Sequence, residues 1–154
     1  MTELLFDKAK VAFVQGKFDE AVRAFGEMIA KDPTNPLAYY SRGVARFNQK
    51  DLAGAIDDCT AAIRLAENNE RVYCSRGAAY LALGRTEEAL SDFNKAIELN
   101  EFYPTAYLGR AEIFTRLGEK EQARMDIEAA TKIQRKRGQS NLEGQGIVFQ
   151  DPNA

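Results

Sequence analysis

Three arginines recur at a spacing that suits charged hydrogen bonding to three aspartates. Arg42, Arg76 and Arg110 lie 34 residues apart, and an aspartate follows each of them after 16 residues. A guanidinium and a carboxylate match each other for paired hydrogen bonds. The spacing therefore predicts a ladder of ion pairs between packed helices, and the alternative is a row of arginines for a phosphorylated or acidic partner. The aspartates of the predicted ladder are Asp58, Asp92 and Asp126.

The residue types needed for the commonest catalytic sites are missing. The sequence contains no histidine, which excludes Ser-His-Asp and Cys-His catalysis and histidine metal sites. It also contains no glycine-rich phosphate loop. Cys59 and Cys74 are expected to be buried thiols, with a disulfide or redox pair as the alternative. We therefore predict no enzyme activity, no metal and no cofactor.

The composition is ordinary for a soluble globular protein. The 154 residues are 45% hydrophobic and 29% charged, and the net charge is −2. Acidic and basic residues are interspersed, so we expect neither nucleic-acid binding nor attraction to an anionic membrane. No apolar run approaches the roughly 18–20 residues that span a bilayer, and we expect no membrane insertion. The N-terminal residues lack the features of a signal peptide, which predicts a cytoplasmic protein.

The 34-residue period of the charged residues extends to the small and apolar ones. A period of this length is typical of a stacked array in which each unit buries its apolar face against its neighbours. Such arrays offer continuous binding surfaces, so the period indicates protein recognition. Glycine within a helix costs about 1 kcal/mol relative to alanine, and we therefore expect close helix contacts at Gly43 and Gly77. The small residues at this period are Ala9, Gly43, Gly77 and Ala111, and also Ala21, Ala55, Ala89 and Ala123.

Each unit is predicted to form two amphipathic helices joined by a tight turn. In the third unit, apolar residues on both sides of Gly84 recur at three- and four-residue steps, which is the helical period. Gly16 and Gly118 hold the same place in other units, and glycine allows the left-handed backbone of such a turn. Lys50 replaces it in the second unit, which predicts a different turn, with Asp51 capping the next helix. The predicted helices are 2–15, 18–31, 36–49, 52–65, 70–83, 86–99, 104–117 and 120–137.

Two motifs in the third unit resemble a known family. The segment YxxRGxxY from Tyr73 to Tyr80, followed by AxxxF from Ala89 to Phe93, is similar to the W-x-x-L-G-x-x-Y and A-x-x-x-F pattern of the tetratricopeptide repeat. The resemblance implies an all-α fold, a right-handed α-solenoid of four antiparallel helical hairpins whose first helices line a concave groove. Most members bind peptides or proteins, so it implies a non-enzymatic adaptor or scaffold. The domain would cover residues 1–137, with repeats of about 2–35, 36–69, 70–103 and 104–137.

The resemblance also implies which side chains line the groove. Its N-terminal half would carry large apolar groups and its C-terminal half mostly small ones. Aromatic side chains on rigid helices make good anchors, so we expect an apolar peptide or amphipathic helix as the ligand. Packing between neighbouring first helices is the alternative role for each side chain. The candidate binding residues are Phe6, Lys10, Phe13, Leu37, Tyr40, Val44, Phe47, Arg71, Cys74, Ala78, Leu81 and Leu108.

One subset of the family clamps the terminal carboxylate of a chaperone with lysine, asparagine and arginine side chains. The corresponding places in this chain hold Phe6 and Lys10 in the first repeat, Ser41 in the second, and Arg71 and Ser75 in the third. Most of the clamp is therefore missing. We predict that the chain does not recognise a terminal carboxylate in that way.

Residues 138–154 are predicted to form a flexible or docked tail. Basic residues up to Arg137 suit the end of a helix, and Gly138 is a natural stop. The apolar segment Ile147, Val148 and Phe149 could occupy the groove or mediate dimerisation. Deleting residues 139–154 would then raise peptide affinity or change the oligomeric state.

Two further functions remain open at this point. The chain could be a chaperone for a secreted or membrane-destined client. The client would then have long hydrophobic stretches, whereas the partner of an adaptor would have a fixed short motif. It could also be a structural module whose hairpins stack end to end. A mass that depends on concentration would indicate the second of these.

Overall fold

The computed structural model describes residues 2–145 as eight α-helices joined by short turns. Consecutive helices form four hairpins, and each hairpin packs on the next, as predicted. The first helices α3, α5 and α7 also contact one another in succession, which places them on the inner side of the array. Within residues 2–145, no helix is both long and apolar enough to cross a membrane. The helices are α1 (Thr2–Val14), α2 (Phe18–Lys31), α3 (Pro36–Asn48), α4 (Leu52–Leu65), α5 (Glu70–Ala82), α6 (Thr86–Leu99), α7 (Pro104–Leu117) and α8 (Lys120–Gly144).

A residue with left-handed backbone closes every hairpin. Gly16, Gly84 and Gly118 have φ angles of 73°, 76° and 76°, and Lys50 has a φ of 68°. The different turn predicted at Lys50 is therefore wrong, because this lysine adopts the conformation of the glycines despite its Cβ. Asp51 caps α4 as predicted, since its carboxylate accepts a hydrogen bond from the Gly54 amide over 3.0 Å. The packing of the hairpin thus outweighs the local preference of one residue.

Asparagines begin the first helices of two repeats. The Asn35 side chain accepts hydrogen bonds from the amides of Leu37 and Ala38 at 3.0 and 3.2 Å, and Pro36 occupies the first turn of α3. Asn69 caps α5 through the Arg71 amide in the same way. These caps satisfy amides that have no partner within the helix.

The predicted close contacts at the helical glycines are confirmed. A Cβ on Gly43 would lie 3.2 Å from Asp58 Cβ, and a Cβ on Gly77 would lie 3.3 Å from both Asp92 Cβ and the Phe93 ring. The second helix of each hairpin therefore passes against the backbone of the first. A Cβ at either glycine would therefore be crowded, and the facing helix would have to shift slightly to accommodate it.

The last helix continues beyond its predicted end. Gly138 does not take a left-handed conformation, and α8 runs past Arg137 to Gly144. The Arg137 side chain donates a hydrogen bond to the Phe102 carbonyl over 2.8 Å. This bond holds α8 against the loop between α6 and α7. The predicted docking segment Ile147–Phe149 lies outside the described residues.

Gly26 offers a test of how glycines in these helices affect stability. A Cβ on Gly26 would meet only Arg42 Nη1, at an ordinary contact distance of 3.7 Å. Gly26→Ala is therefore expected to raise the free energy of unfolding by about 0.5–1 kcal/mol, measured by urea denaturation. Gly43→Ala is the control, because its Cβ would be crowded by three atoms, and no gain is expected there. An equal gain in both variants would contradict this explanation.

Candidate functional site

The arginine–aspartate ladder is present between the two helices of the last three hairpins. Arg42 donates to Asp58 at 2.9 and 2.7 Å, Arg76 to Asp92 at 2.8 and 2.7 Å, and Arg110 to Asp126 at 2.8 Å through both nitrogens. All three carboxylates are buried. The predicted ion pairs are thus confirmed, and the arginines are engaged within the array.

Two of these arginines also reach the hairpin before their own. Arg76 Nη1 donates to Thr60 Oγ1 over 3.2 Å, and Arg110 Nη1 donates to Asn94 Oδ1 over 2.8 Å. The hydrogen bonds that Arg76 donates to the Asp92 carboxylate raise the pKa of Arg76 above its ordinary value. Each arginine therefore joins three helices and helps to set the angle between neighbouring hairpins, which shapes the inner face.

An apolar depression lies on the inner face between α1 and α3. Its volume is about 260 Å³. Phe13 and Tyr40 border it, and the buried Phe25 of α2 forms part of its lining. We call it the N-terminal depression. Its full lining is Lys10, Phe13, Val14, Phe25, Tyr40, Ser41 and Val44.

A second depression follows on the same face, between α3 and α7. Its volume is about 380 Å³. Small side chains from α5 and the buried Phe93 of α6 line much of it, while Glu112 and Arg116 add a polar edge. We call it the C-terminal depression. Its full lining is Phe47, Cys74, Ala78, Leu81, Ala82, Phe93, Thr105, Leu108, Gly109, Glu112 and Arg116.

The structure brings nine of the twelve predicted groove residues into these depressions. Four of them line the N-terminal depression and five line the C-terminal one. The other three line neither depression: Phe6 packs on the Phe25 ring with centroids 6.1 Å apart, while Leu37 and Arg71 are exposed. The residues that line the depressions are Lys10, Phe13, Tyr40 and Val44, and then Phe47, Cys74, Ala78, Leu81 and Leu108.

The lining residues differ in how much surface they offer to a ligand. Phe13, Tyr40, Val44 and Phe47 are half-buried, so part of each side chain is available. Cys74 and Leu81 are buried in a cluster with Ala106 and Ile113 of α7. These two residues therefore follow the packing alternative. Lys10 and Leu108 are exposed at the edges of the groove.

Phe25 and Phe93 were not among the sequence-predicted groove residues. They lie on second helices, and their place in the 34-residue period indicates core packing, which both also provide because they are buried. The sequence feature that could have identified them is the large size of both side chains relative to the equivalent residue in the second repeat. The equivalent residue in the second repeat is Cys59, and the two depressions lie beside the positions where that residue is phenylalanine.

The two cysteines are buried and free, as expected from the sequence. Burial raises the pKa of both Cys59 and Cys74 to about 12. Thiols in this state are weak nucleophiles at neutral pH. In the part of the chain from 2 to 145, no group of three or more histidine, cysteine or acidic residues is arranged to hold a metal ion.

Comparison with known families identifies the repeat. Three models described as tetratricopeptide repeat match residues 6–70, 70–103 and 104–137. Together they cover all four predicted repeats, including the first, which lacks the arginine–aspartate pair and has Lys8 and Ala24 in those places.

Individual relatives match at the level of the repeat and not of the whole protein. RNA polymerase II-associated protein 3 of Rattus norvegicus is 37% identical over 65 residues, which are 42% of this chain and 10% of the rat protein. The chain thus spans about a tenth of the length of the curated relatives it matches.

Two solved structures illustrate the likeness in three dimensions. The first TPR domain of Spaghetti (RPAP3), bound to the HSP90 peptide SRMEEVD, has a TM-score of 0.73 and 33% identity and covers 76% of this chain and 93% of that one. The crystal structure of MamA has a TM-score of 0.81 and 23% identity and covers 89% of this chain and 80% of that one. The second likeness concerns the fold alone.

Proposed function

Because the chain belongs to the tetratricopeptide repeat family, we propose that it is a non-enzymatic adaptor that holds an apolar segment of another protein in its groove. The observation that carries this proposal is the pair of mainly apolar depressions on the first-helix face. Accessible apolar surface of this kind usually marks an interaction site. Phe13, Tyr40 and Phe47 would be the anchors, because rigid, half-buried aromatic side chains contribute most to such contacts. Protein binding as a general role is supported by the family and its relatives.

The proposed ligand differs from the acidic peptide seen in the similar solved structure. SRMEEVD is rich in carboxylates, and tight binding of carboxylates calls for several free cations. Where a carboxylate clamp would act, this chain has the uncharged residues Phe6 and Ser41. Lys10 and Arg71 are the two cations of that set, both are exposed, and Lys10 is paired with Asp7 over 2.8 Å. This supports an apolar ligand over an acidic one.

The two depressions suggest a ligand with two separated apolar anchors. The N-terminal depression lies between α1 and α3, and the C-terminal one is centred near α5. Packed helices lie about 8–10 Å apart, so the anchors would be separated by on the order of 10–15 Å. This distance corresponds to about two to three turns of an α-helix. An amphipathic helix or a short extended segment could therefore fill both depressions.

Selection from a displayed library of random peptides would test the proposal. Selected peptides are expected to carry two separated apolar anchors, and SRMEEVD is measured in parallel. In the variant Tyr40→Glu, Phe47→Glu, affinity for the selected peptides is expected to fall about 10–100-fold, measured by calorimetry, because charged groups replace the anchors.

A second variant controls for the general effect of replacing an aromatic residue with glutamate. Phe102 is 60% exposed and lies outside both depressions, so Phe102→Glu should bind as the unaltered chain does. Tighter binding of SRMEEVD than of any apolar peptide would contradict the proposal. Selection of long hydrophobic stretches without fixed anchors would favour the chaperone function instead.

A further inference from the structure

The outer face of α1 exposes apolar residues at positions that every later repeat buries. Leu4 and Val11 are 74% and 55% exposed. The equivalent residues of α3, Ala38 and Ala45, belong to a core cluster with residues of α1 and α2, so in a later repeat these positions contact the preceding hairpin. The equivalent residues one, two and three periods later are all buried, and they are Ala38, Val72 and Ala106 for Leu4, and Ala45, Ala79 and Ile113 for Val11.

The opposite end of the array exposes the complementary position. Ile127 of α8 is 48% exposed. The equivalent residues Phe25, Cys59 and Phe93 are buried, and Phe93 illustrates the contact, because it packs against Gly109 of the following hairpin. The last second helix therefore exposes the position at which an earlier second helix packs on the next first helix, and residues 2–145 provide no such helix after α8.

Charge provides an independent reason to join these two ends. Within the chain, Arg76 and Arg110 each bond to a residue 16 positions earlier on the preceding hairpin, namely Thr60 and Asn94. Lys8 is one period before Arg42, and Glu128 is one period after Asn94. If a second copy continued the array in register, its Lys8 would meet Glu128 of the first copy. The contact that Arg76 and Arg110 make with the preceding hairpin would then recur between two copies as an ion pair.

We propose that copies of this chain associate head to tail, with α1 of one copy packed on α8 of the next so that the repeat continues in register. The contact is heterologous, and it leaves one free end of each kind. A two-fold contact through α1 alone would leave Ile127 and Glu128 without their counterparts. The proposed interface lies outside the two depressions and goes beyond the proposed adaptor function.

The residue types on the exposed face of α8 determine how strong the proposed association should be. Arg124 and Thr131 stand where the preceding repeat has Leu90 and Ile97, so this contact buries less apolar surface than the contacts within the chain. Glu128 contacts Arg124 of its own helix, and that pair is exposed. We therefore expect a reversible association that grows with protein concentration and weakens with added salt.

Analytical ultracentrifugation of the full chain, from micromolar to near-millimolar concentrations, tests the proposal. The mean mass of the unaltered chain should rise with concentration. Leu4→Glu blocks one end and Ile127→Glu blocks the other, so each variant alone should remain a monomer. An equimolar mixture should form a dimer and nothing larger, because only one pair of ends remains compatible. Circular dichroism checks that both variants keep their helices.

Matched variants separate this contact from unspecific association. Met125 is 59% exposed on α8, at a position that is exposed in every repeat, and Met125→Glu should associate as the unaltered chain does. Lys8→Glu and Glu128→Lys should each weaken association about ten-fold, and the double variant should restore it. A monomeric unaltered chain at all concentrations, undiminished association of Ile127→Glu, or failure of the charge exchange would overturn the proposal.

Discussion

Replacing Asp58 with alanine is expected to lower the free energy of unfolding by about 3–5 kcal/mol. Asp58 is buried and accepts hydrogen bonds from Arg42 at 2.9 and 2.7 Å and from Arg46 at 2.9 Å. Its removal would leave two partly buried guanidinium groups without their main acceptor. Urea denaturation followed by circular dichroism would give the change, with the slope of the transition as a check on two-state unfolding.

The neighbouring residue supplies a closely matched control for Asp58. Asp57 is on the same helix and is exposed, and its side chain forms no hydrogen bond or ion pair with other residues between 2 and 145. Asp57→Ala is therefore expected to change stability by less than about 0.5 kcal/mol. If Asp58→Ala cost no more than Asp57→Ala, the ladder would not contribute to the stability of the array.

Replacing Gly109 with alanine is expected to lower the free energy of unfolding by about 1–3 kcal/mol. A Cβ on Gly109 would overlap the ring of Phe93. This ring is buried, so it has little free space into which it could move. The change would be measured by urea denaturation.

A double-mutant cycle tests whether the loss at Gly109 arises from the Phe93 ring. Phe93→Leu should be less costly in the Gly109→Ala background than alone, because the smaller side chain makes room for the new methyl group. Gly138→Ala is the control, since a Cβ there would meet nothing within 4 Å, and it should not destabilise the chain. Additive costs for Gly109→Ala and Phe93→Leu would rule out this explanation.

The helices and their order could be predicted from the sequence because one period repeats four times. Small residues at Gly43 and Gly77 indicated the helix contacts, and the spacing of Arg76 and Asp92 indicated the ion pair. Each of these features recurs at the same spacing in several repeats. A single ambiguous position therefore does not obscure the pattern.

The errors concern positions where the periodic pattern and local chemistry disagree. Lys50 takes a left-handed conformation that its side chain disfavours, because the hairpin requires it. Gly138 does not end α8, since Arg137 bonds to the loop before α7 and the helix continues. Local preferences of about 1 kcal/mol were too small to decide either case against tertiary contacts.

The candidate groove was predicted less completely than the fold. The first-helix residues followed from family resemblance, but Cys74 and Leu81 proved to be covered by α7. Phe25 and Phe93 lie on the second helices, at positions that the repeat buries. The sequence alone does not show that these two buried rings also line the depressions. Exposure of a residue depends on the neighbouring helix, which its own repeat does not specify.

The reach of Arg76 and Arg110 into the preceding hairpin makes the array modular. Arg76 takes one partner from its own repeat and one from the repeat before it, and Arg110 does the same one period later. Duplicating residues 70–103 would give the inserted arginine an asparagine acceptor and its own aspartate, so no guanidinium would lose a partner. The length of the groove could therefore change by whole units during evolution without any of these arginine contacts having to be redesigned.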